Sequence, residues 1–391
     1  PGQADNWPRF RGPNGTGISH DKDIPAHWTA ANVLWKVRMP GVGNSSPVVW
    51  GDRLFVQSSS SDGSERLLLC FNATTGKQLW SRSVPAARHS MHPKNTLASS
   101  TPATDGHAVY FSVWDGSHIQ LMAYDFAGKQ LWKRDLGPFQ SQHGAGASPV
   151  VYDGRVFFAD DQDGTATLFA LDAGSGQILW EVPRRPFRAC YSAPFMLHRT
   201  GEAKQLIVAS TAGVTSYQPD SGKENWDWVW HFTGMPQRTV ASPLYADGFI
   251  FANSGDGSGT RHMVALRLGS SGPTKVWENK RGLPYVPTML ALGHDLFWIH
   301  DQGIAGCTDA NTGKAFWTTR LEPTSASPIV IDGKIYIISE NGNVFVVAAT
   351  ERYQLLARNS VDEPVMATPA VADHRLFIRG KEHLFCIGKA R

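Results

Sequence analysis

The sequence predicts an all-β protein built from repeated four-stranded units, and three observations lead to that prediction. The chain has 391 residues, of which 38 are Gly and 24 are Pro, so turn-forming residues are frequent. No segment sustains the apolar period of an α-helix, whereas short runs alternate apolar and polar residues as strands do. The third observation is internal repetition, which is typical of stacked β-units.

Each repeat begins with a small or β-branched residue followed by Pro, and most repeats close with a Trp, although the seventh has Leu356 at that position. The prolines recur every 41 to 55 residues, at Pro47, Pro102, Pro149, Pro194, Pro243, Pro287, Pro328 and Pro369. The tryptophans are Trp80, Trp132, Trp180, Trp226, Trp277 and Trp317, with a seventh, Trp35, ahead of the first Pro. The fullest closing segment runs from Ala170 through Gly176 to Trp180. It places a small residue first, Gly seventh and Trp eleventh.

These repeats predict an eight-bladed β-propeller of four-stranded antiparallel blades. In the first unit, strands are expected at about 46–50, 53–58, 65–71 and 77–83. One such blade cannot bury both of its faces, so the blades must stack around an axis. The eighth unit, from Thr368 to Ile387, lacks the closing strand, and the segment from Val33 to Val37 is predicted to supply it and remove an open edge. Residues 1–31 then form an N-terminal arm, and residues 32–391 form one propeller domain.

The seven tryptophans are predicted to be structural. Each indole is expected to dock between neighbouring blades, over the small first residue and the Gly of the closing segment. Burial of so large a ring stabilises a fold by several kcal/mol. A stacking platform for bases or sugars is the alternative.

The four cysteines are predicted to remain free thiols. Cys70, Cys307 and Cys386 occupy the small first position of the closing segment in three different units. Residues in different blades lie too far apart to form a disulfide. Cys190 lies elsewhere, just before an innermost strand, and is either a buried thiol or a reactive or ligating one.

The closing segment Cys307-Thr-Asp-Ala-Asn-Thr-Gly313-Lys-Ala-Phe-Trp317 resembles the repeat of the pyrroloquinoline-quinone (PQQ) propeller family, and this resemblance covers about residues 32–391. The opening segment, from Trp7 to Gly17, resembles the start of a subgroup of exported bacterial proteins. The resemblance implies one of two kinds of protein. One is a quinoprotein alcohol dehydrogenase, with PQQ and Ca²⁺ at the axis. The other is a cofactor-free propeller, such as the periplasmic lipoprotein that helps assemble outer-membrane β-barrels.

We expect neither PQQ nor Ca²⁺ in this chain, and no other cofactor or metal. The dehydrogenases of the family have adjacent cysteines over the quinone, and some have a Cys-x-x-Cys-His haem motif; this sequence has neither. Ca²⁺ takes about six to eight oxygen ligands. The best acidic cluster, Asp160 to Gly164, is either a hairpin turn or a metal site. His89 and His92 supply at most half of a metal site, because the sequence shows no companion pair.

The predicted binding site is the mouth of the axial channel, where the loops between blades share one face with the turns between second and third strands. Loops on a rigid scaffold are where binding residues concentrate. The candidates are His89, His92, Lys94, Asn95, His143, Arg188, Tyr191, Arg238, Tyr285, His300 and Asp301. Arg and His predominate in this set, which suits an anionic ligand. A water-filled mouth with internal salt bridges and a protein-binding face are the alternatives.

Composition and missing motifs favour a binding protein. A net charge of +3, from 37 basic and 34 acidic residues, gives no footprint for nucleic acid, and no apolar run approaches the roughly 20 residues of a membrane span. No Ser-His-Asp, phosphate-loop or zinc spacing is evident. We therefore predict a monomeric, non-catalytic scaffold, periplasmic or secreted after loss of a signal peptide, that binds a protein or peptide partner or a small anionic ligand. A divergent quinoprotein-type oxidoreductase and a small-anion-binding enzyme are the alternatives.

Overall fold

The computed structural model describes residues 6–89, 91–231, 238–257, 259–269 and 272–389. In these ranges the chain forms eight antiparallel blades, so the predicted all-β, eight-bladed propeller is confirmed. Residues 1–5 of the predicted arm and 390–391 of the predicted domain lie outside the described residues. Two strands precede the first blade, β1 (Ile18–Ser19) and β2 (Val33–Arg38), with 3-10 turns at Pro13–Gly15 and Ala30–Asn32.

The first four blades are meanders whose strands pair in chain order from the axis outward. Blade 1 has β3 (Val48–Trp50), β4 (Arg53–Ser59), β5 (Glu65–Asn72) and β6 (Gln78–Pro85). Blade 2 has β7 (Ala103–Thr104), β8 (Ala108–Trp114), β9 (His118–Asp125) and β10 (Gln130–Pro138). Blade 3 has β11 (Val150–Tyr152), β12 (Arg155–Asp160), β13 (Ala166–Asp172) and β14 (Ile178–Arg184). Blade 4 has β15 (Phe195–Leu197), β16 (Gln205–Ala209), β17 (Gly213–Tyr217) and β18 (Glu224–Val229).

The last four blades continue the pattern, and the final one borrows its outer strand. Blade 5 has β19 (Leu244–Ala246), β20 (Phe249–Gly255), β21 (Arg261–Gly269) and β22 (Gly272–Asn279). Blade 6 has β23 (Leu290–Leu292), β24 (Asp295–Ile299), β25 (Ile304–Asp309) and β26 (Ala315–Arg320). Blade 7 has β27 (Ile329–Ile331), β28 (Lys334–Ile338), β29 (Asn343–Ala348) and β30 (Leu355–Ser360). Blade 8 has β31 (Ala370–Ala372), β32 (Arg375–Arg379) and β33 (His383–Ile387), and β2 completes it.

Blade 8 closes the propeller as predicted. Strand β2 pairs antiparallel with β33, placing Trp35 opposite Cys386 and Val37 opposite Leu384. The last blade therefore has no open outer edge on β33, and the two ends of the repeat array are joined by hydrogen bonds.

Hydroxyl groups link the innermost segments of successive blades and account for the recurring Ser/Thr-Pro step. In seven of the eight blades, a backbone N–H at this step donates to the Ser or Thr hydroxyl of the next blade. The bonds run from Ser46 to Thr101 (3.1 Å), Thr101 to Ser148 (3.0 Å), Ala193 to Ser242 (2.9 Å), Ser242 to Thr288 (3.0 Å), Thr288 to Ser327 (3.0 Å), Ser327 to Thr368 (2.9 Å) and Thr368 to Ser46 (3.1 Å). We call this set the hydroxyl ring.

Two blades depart from that pattern. In blade 6 the hydroxyl residue, Thr288, follows Pro287 instead of preceding it, so the step is displaced by one residue there. Blade 4 carries Ala193, which has no hydroxyl to accept the N–H of Ser148. The hydroxyl ring is therefore interrupted between blades 3 and 4.

Six of the seven repeated tryptophans donate their indole N–H to a backbone carbonyl of the following blade. The pairs are Trp35 to Ala73 (3.1 Å), Trp80 to Phe126 (3.1 Å), Trp132 to Ala173 (2.9 Å), Trp180 to Pro219 (3.0 Å), Trp277 to Ala310 (2.8 Å) and Trp317 to Thr350 (3.0 Å). Trp226 differs, because it donates to Gln205 Oε1 of its own blade (3.0 Å). At Gly176, where φ is +70°, a Cβ would lie 2.5 Å from the Trp132 ring, so both the turn and the packing require Gly.

The four cysteines are free and buried. Cys70 lies opposite Trp80 across neighbouring strands, and Cys307 lies opposite Trp317. A small side chain at this position leaves room for the neighbouring indole, which explains why Ala or Cys occupies it.

The N-terminal arm lies against the innermost strands and crosses the axial channel at its base, the end nearest the turns between first and second strands. Trp7 exchanges two backbone hydrogen bonds with Val49 of blade 1 (2.8 and 2.9 Å). The Asn14 side chain bonds both backbone groups of Met196 in blade 4. Strand β1 pairs in parallel with β27, so blade 7 has a fifth strand. In the described part of the chain, no helix is long and apolar enough to cross a membrane.

Candidate functional site

The mouth lies at the opposite end of the channel from the arm, where the loops between blades meet the turns between second and third strands. Two stacked imidazoles form its centre. The His92 and His143 rings lie 4.7 Å apart and 11° from parallel. Asn95 holds the second of these loops by donating to the carbonyls of His143 (2.6 Å) and Ala145 (3.2 Å). Three sequence candidates from two loops are thus brought together.

Arg238 lies behind this pair and is almost fully buried, with 4% of its surface exposed. Its guanidinium donates to the carbonyl of Ala189 (3.3 Å) and to Gln142 Oε1 (3.2 Å), both neutral acceptors. Within the described residues it forms no ion pair with a carboxylate. The Nδ1 atom of His143 is also buried and has no hydrogen-bond partner there. A buried cation without a counter-charge is costly, so this arrangement favours a negative ligand.

The electrostatics of His143 follow from the same neighbours. Burial lowers the pKa of its imidazole, and the positive charges of Arg238 and His92 lower that pKa further. Asp163 is the acidic group that opposes them. In the absence of a ligand, His143 is therefore held in its neutral form near pH 7.

Two tyrosines line the same region. The hydroxyl of Tyr191 lies 2.9 Å from Ser141 Oγ and donates to the Gly144 carbonyl at 3.0 Å. Burial raises the pKa of Tyr191 and of Tyr285, and the charge of Arg238 opposes the rise in both. Both phenols are therefore hydrogen-bond donors at neutral pH, close to the Arg238 guanidinium.

Other candidates have structural partners. His89 packs on Trp114, with ring centroids 4.6 Å apart. His300 Nδ1 accepts the backbone N–H of Gln302 (2.9 Å), and burial lowers the pKa of His300. Asp301 accepts the backbone N–H groups of Tyr285 (3.1 Å) and Val286 (2.9 Å). These contacts fix the shape of the loops that carry the three residues.

Arg188 differs from these structural residues because its side chain has no hydrogen-bond partner among the described residues. Its backbone N–H lies 3.4 Å from Thr211 Oγ1, which holds the loop between blades 3 and 4. The neighbouring Phe187 is 62% exposed. A cation and an apolar ring therefore lie side by side at the rim of the mouth.

A short segment spans the mouth. Residues 91–97, which we call the strap, contact His143 beside blade 3 through His92 and reach Glu340 of blade 7 through Lys94, whose Nζ lies 2.8 Å from Glu340 Oε1. The strap therefore links the loop between blades 2 and 3 to the turn between the second and third strands of blade 7. Lys94 thus has a structural partner that its position in the sequence did not indicate.

The acidic cluster at 160–164 contains a buried ion pair that the sequence did not reveal. Arg184 binds both carboxylate oxygens of Asp161 (2.6 and 2.9 Å) and also contacts the Tyr217 hydroxyl (2.8 Å). Burial, and then the charge of Asp161, raise the pKa of Asp160 to about 7. No group of three or more His, Cys, Asp or Glu placed to hold a metal is present in the ranges that the structure describes.

Cys190 is a buried thiol at the edge of this cluster. Its sulfur accepts the Thr211 N–H (3.3 Å) and donates to the Arg188 carbonyl (3.3 Å). Burial raises the pKa of Cys190 to about 12. The thiolate that reactive cysteines require is therefore disfavoured.

The fold and mouth together define an eight-bladed propeller of the PQQ-repeat type with a cation-rich mouth. The model of the family described as outer membrane protein assembly factor BamB matches residues 27–119, 68–319 and 300–387. The chain belongs to this family, and the predicted resemblance is confirmed.

Similar proteins include both kinds that the resemblance implied. A polyvinylalcohol dehydrogenase from a Pseudomonas species is 31% identical over 52% of this chain and 32% of its own length. An outer membrane protein assembly factor BamB from Shewanella oneidensis is 22% identical over 64% of each chain. The chain thus matches less than two thirds of the length of these relatives.

Solved structures share the fold. BamB from Moraxella catarrhalis matches with a TM-score of 0.65 at 12% identity, covering 91% of this chain and 99% of that one. Quinohemoprotein alcohol dehydrogenase from Comamonas testosteroni matches with a TM-score of 0.71 at 14% identity, covering 99% and 81%. At such identities the likeness concerns the architecture alone.

Proposed function

We propose that this chain is a non-catalytic binding scaffold, periplasmic or secreted, whose mouth receives an anionic group of a protein or peptide partner. The observation that carries the proposal is Arg238, a buried guanidinium with only neutral acceptors, beside the unpartnered Nδ1 of His143. An incoming carboxylate, sulfate or phosphate would supply the missing counter-charge, and charge-assisted hydrogen bonds are roughly twice as strong as neutral ones.

The rim of the mouth supports a macromolecular partner. Phe187 is largely exposed next to Arg188, and aromatic residues and Arg are enriched in protein–protein interfaces. Membership of a family described as an assembly factor also agrees with a scaffold role. A small anion is then the minimal ligand of a site that a larger partner fills.

The proposal is tested first with sulfate as the probe. Calorimetric titration should show sulfate binding that Arg238→Met weakens at least tenfold, while Arg267→Met, on the outer surface over Phe249, leaves it unchanged. A crystal grown with sulfate should place the anion between Arg238 and His143. Sulfate found only on the outer rim contradicts the proposal.

A second measurement addresses the macromolecular partner. An immobilised Glu-rich peptide should retain the wild-type protein, release it on addition of sulfate, and fail to retain Arg238→Met. Retention of Arg238→Met at the wild-type level would contradict a role for the mouth in binding the partner.

A quinoprotein oxidoreductase is the second candidate, because the polyvinylalcohol dehydrogenase match is 31% identical. We propose that this chain holds neither PQQ nor Ca²⁺, because the residues present do not fit them. Asp161 is already neutralised by Arg184, the pKa of Asp160 is near 7, and the four cysteines lie apart as buried free thiols. Titration with PQQ and Ca²⁺, followed by a dye-linked alcohol assay, should show no uptake and no turnover. Stoichiometric sub-micromolar uptake, or alcohol-dependent dye reduction, would favour the oxidoreductase.

A further inference from the structure

Two arginines of the N-terminal arm enter the axial channel, and they differ in how their donors are used. Arg11 uses all five N–H groups. Its Nε donates to the Gly15 carbonyl, Nη1 to those of Thr288 and Pro328, and Nη2 to those of Thr16 and Met289, at 2.6 to 3.2 Å. Arg9 makes one side-chain hydrogen bond, from Nη2 to the Pro194 carbonyl at 2.6 Å. All the N–H donors of Arg11 thus have acceptors, whereas most of those of Arg9 have none among the described residues.

Arg9 is nevertheless deeply buried, with 5% of its surface exposed. Its Nε is buried and has no partner among the described residues. Burial lowers the pKa of Arg9 to about 9, and no acidic side chain offsets this effect. An isolated buried cation needs a partner to be stable.

The position of Arg9 coincides with the interruption of the hydroxyl ring. The carbonyl of Pro8 accepts the Thr104 N–H of blade 2, while the Arg9 guanidinium reaches Pro194 of blade 4. Arg9 therefore spans blade 3 within the channel. Pro194 follows Ala193, the residue that leaves the Ser148 N–H without its hydroxyl acceptor. The Arg9 guanidinium is therefore bound next to the gap in the hydroxyl ring.

We propose that a small inorganic anion of the size of chloride binds in the axial channel between the Arg9 guanidinium and the Ser148 N–H. A small anion is chosen because the turn of the arm packs closely against the guanidinium, where a Cβ on Gly15 would lie 3.3 Å from Arg9 Nη2. This site is separate from the mouth, since its residues belong to the arm and the inner wall. The anion neutralises Arg9 and fixes the arm against blades 3 and 4.

Bromide is the direct probe, because it replaces chloride and scatters anomalously. Crystals grown without halide and soaked in sodium bromide should show an anomalous peak within about 3.5 Å of an Arg9 nitrogen. The peak should disappear in Arg9→Met and persist in both Arg267→Met and the mouth variant Arg238→Met. Absence of the peak in the wild-type protein, or its persistence in Arg9→Met, overturns the proposal.

A solution measurement keeps the test decisive where Arg9→Met fails to crystallise. Anion binding to the folded state alone raises stability as the anion concentration rises. Wild-type protein should therefore unfold at higher urea in sodium chloride than in sodium gluconate of equal ionic strength, and Arg267→Met should show the same difference. Arg9→Lys, which keeps the charge but loses the fork of donors, should reduce it. Ala193→Ser, whose hydroxyl takes the Ser148 N–H, should do the same. An undiminished chloride effect in both variants overturns the site.

Discussion

Thr368 of the last blade donates its backbone N–H to the hydroxyl of Ser46 in the first blade, at 3.1 Å. This bond joins residues 322 positions apart and closes the hydroxyl ring at the same place where β2 closes the outer edge. The propeller is therefore joined near the axis as well as at its circumference. Arg379 of blade 8 adds to the inner junction by donating to the carbonyls of Ser45 and Gln57 and to the Ser58 hydroxyl.

Removal of the Ser46 hydroxyl should destabilise the propeller. Ser46→Ala leaves the Thr368 N–H buried without an acceptor, and an unsatisfied buried donor costs about 1–3 kcal/mol. Urea unfolding should show this loss in the free energy of unfolding, with an unchanged dependence on denaturant. Ser61→Ala, at an exposed turn residue, is the matched control and should change stability by less than about 0.5 kcal/mol. Equal stability of the two variants would show that the bond between Thr368 and Ser46 contributes nothing.

The interruption at blade 4 allows the opposite experiment. Ala193→Ser supplies the missing acceptor for the Ser148 N–H, and a typical intramolecular hydrogen bond contributes about 0.5–1.5 kcal/mol. Unfolding in halide-free gluconate buffer should show a gain in that range, because no anion then competes for the amide. A loss of stability would mean that the wall has no room for the added oxygen.

The sequence predicted the repeated features of this fold and missed the contacts that occur once. The Trp and the small residue opposite it recur in seven of the eight blades, so their period indicated the blades. Arg9 and Arg11 could not be assigned, because their acceptors are backbone carbonyls up to 317 residues away and carry no side-chain signature. The hydroxyl ring was visible only as a recurring Ser/Thr-Pro step, since each acceptor belongs to the next blade.

At the mouth, too, some features could be predicted from the sequence and others could not. Its candidate residues could be grouped by face from the sequence, because loop position follows from the propeller topology. Which of them lack a charged partner was not predictable: the Asp301 carboxylate accepts two backbone N–H groups, whereas the Arg238 guanidinium donates only to neutral acceptors. That distinction depends on loop conformation, which neither spacing nor composition encodes.

Anion binding at the mouth should depend on pH through His143. In the free protein the pKa of His143 lies below its ordinary value, because of burial and the charges of Arg238 and His92, with Asp163 opposing. A bound anion favours the protonated imidazole and raises that pKa, so binding takes up a proton. Sulfate affinity should therefore increase as pH falls from 8 to 5, by at most about tenfold per pH unit, and level off below the free-state pKa.

Two variants distinguish titration of His143 from a general effect of the protein's charge on sulfate binding. His143→Gln should flatten the pH profile while retaining weak sulfate binding through Arg238. His27→Gln, an exposed histidine of the arm, should keep the wild-type profile. Calorimetric titration at several pH values provides the measurement. A pH dependence unchanged in His143→Gln would exclude His143 as the titrating group.

The strap should loosen when its ion pair with blade 7 is removed. Lys94 and Glu340 are both partly exposed, so their pair is expected to contribute at most about 1 kcal/mol. Lys94→Met should therefore raise the hydrogen-exchange rates of amides in residues 91–97 about two- to fivefold, because a change of 1.36 kcal/mol corresponds to tenfold in population. Glu340→Gln should have a similar effect, and the double variant should add little, as expected for two partners of one interaction.

Raised salt should also increase exchange in the strap of the wild-type protein, because salt screens an exposed ion pair. The increase should be smaller in Lys94→Met, which has no such pair. Lys381→Met, an exposed lysine of blade 8, is the control and should leave exchange in the strap unchanged. Wild-type exchange in both single variants would mean that the strap is held by its other contacts, with Asn44 and with the loop around His143, and not by this ion pair.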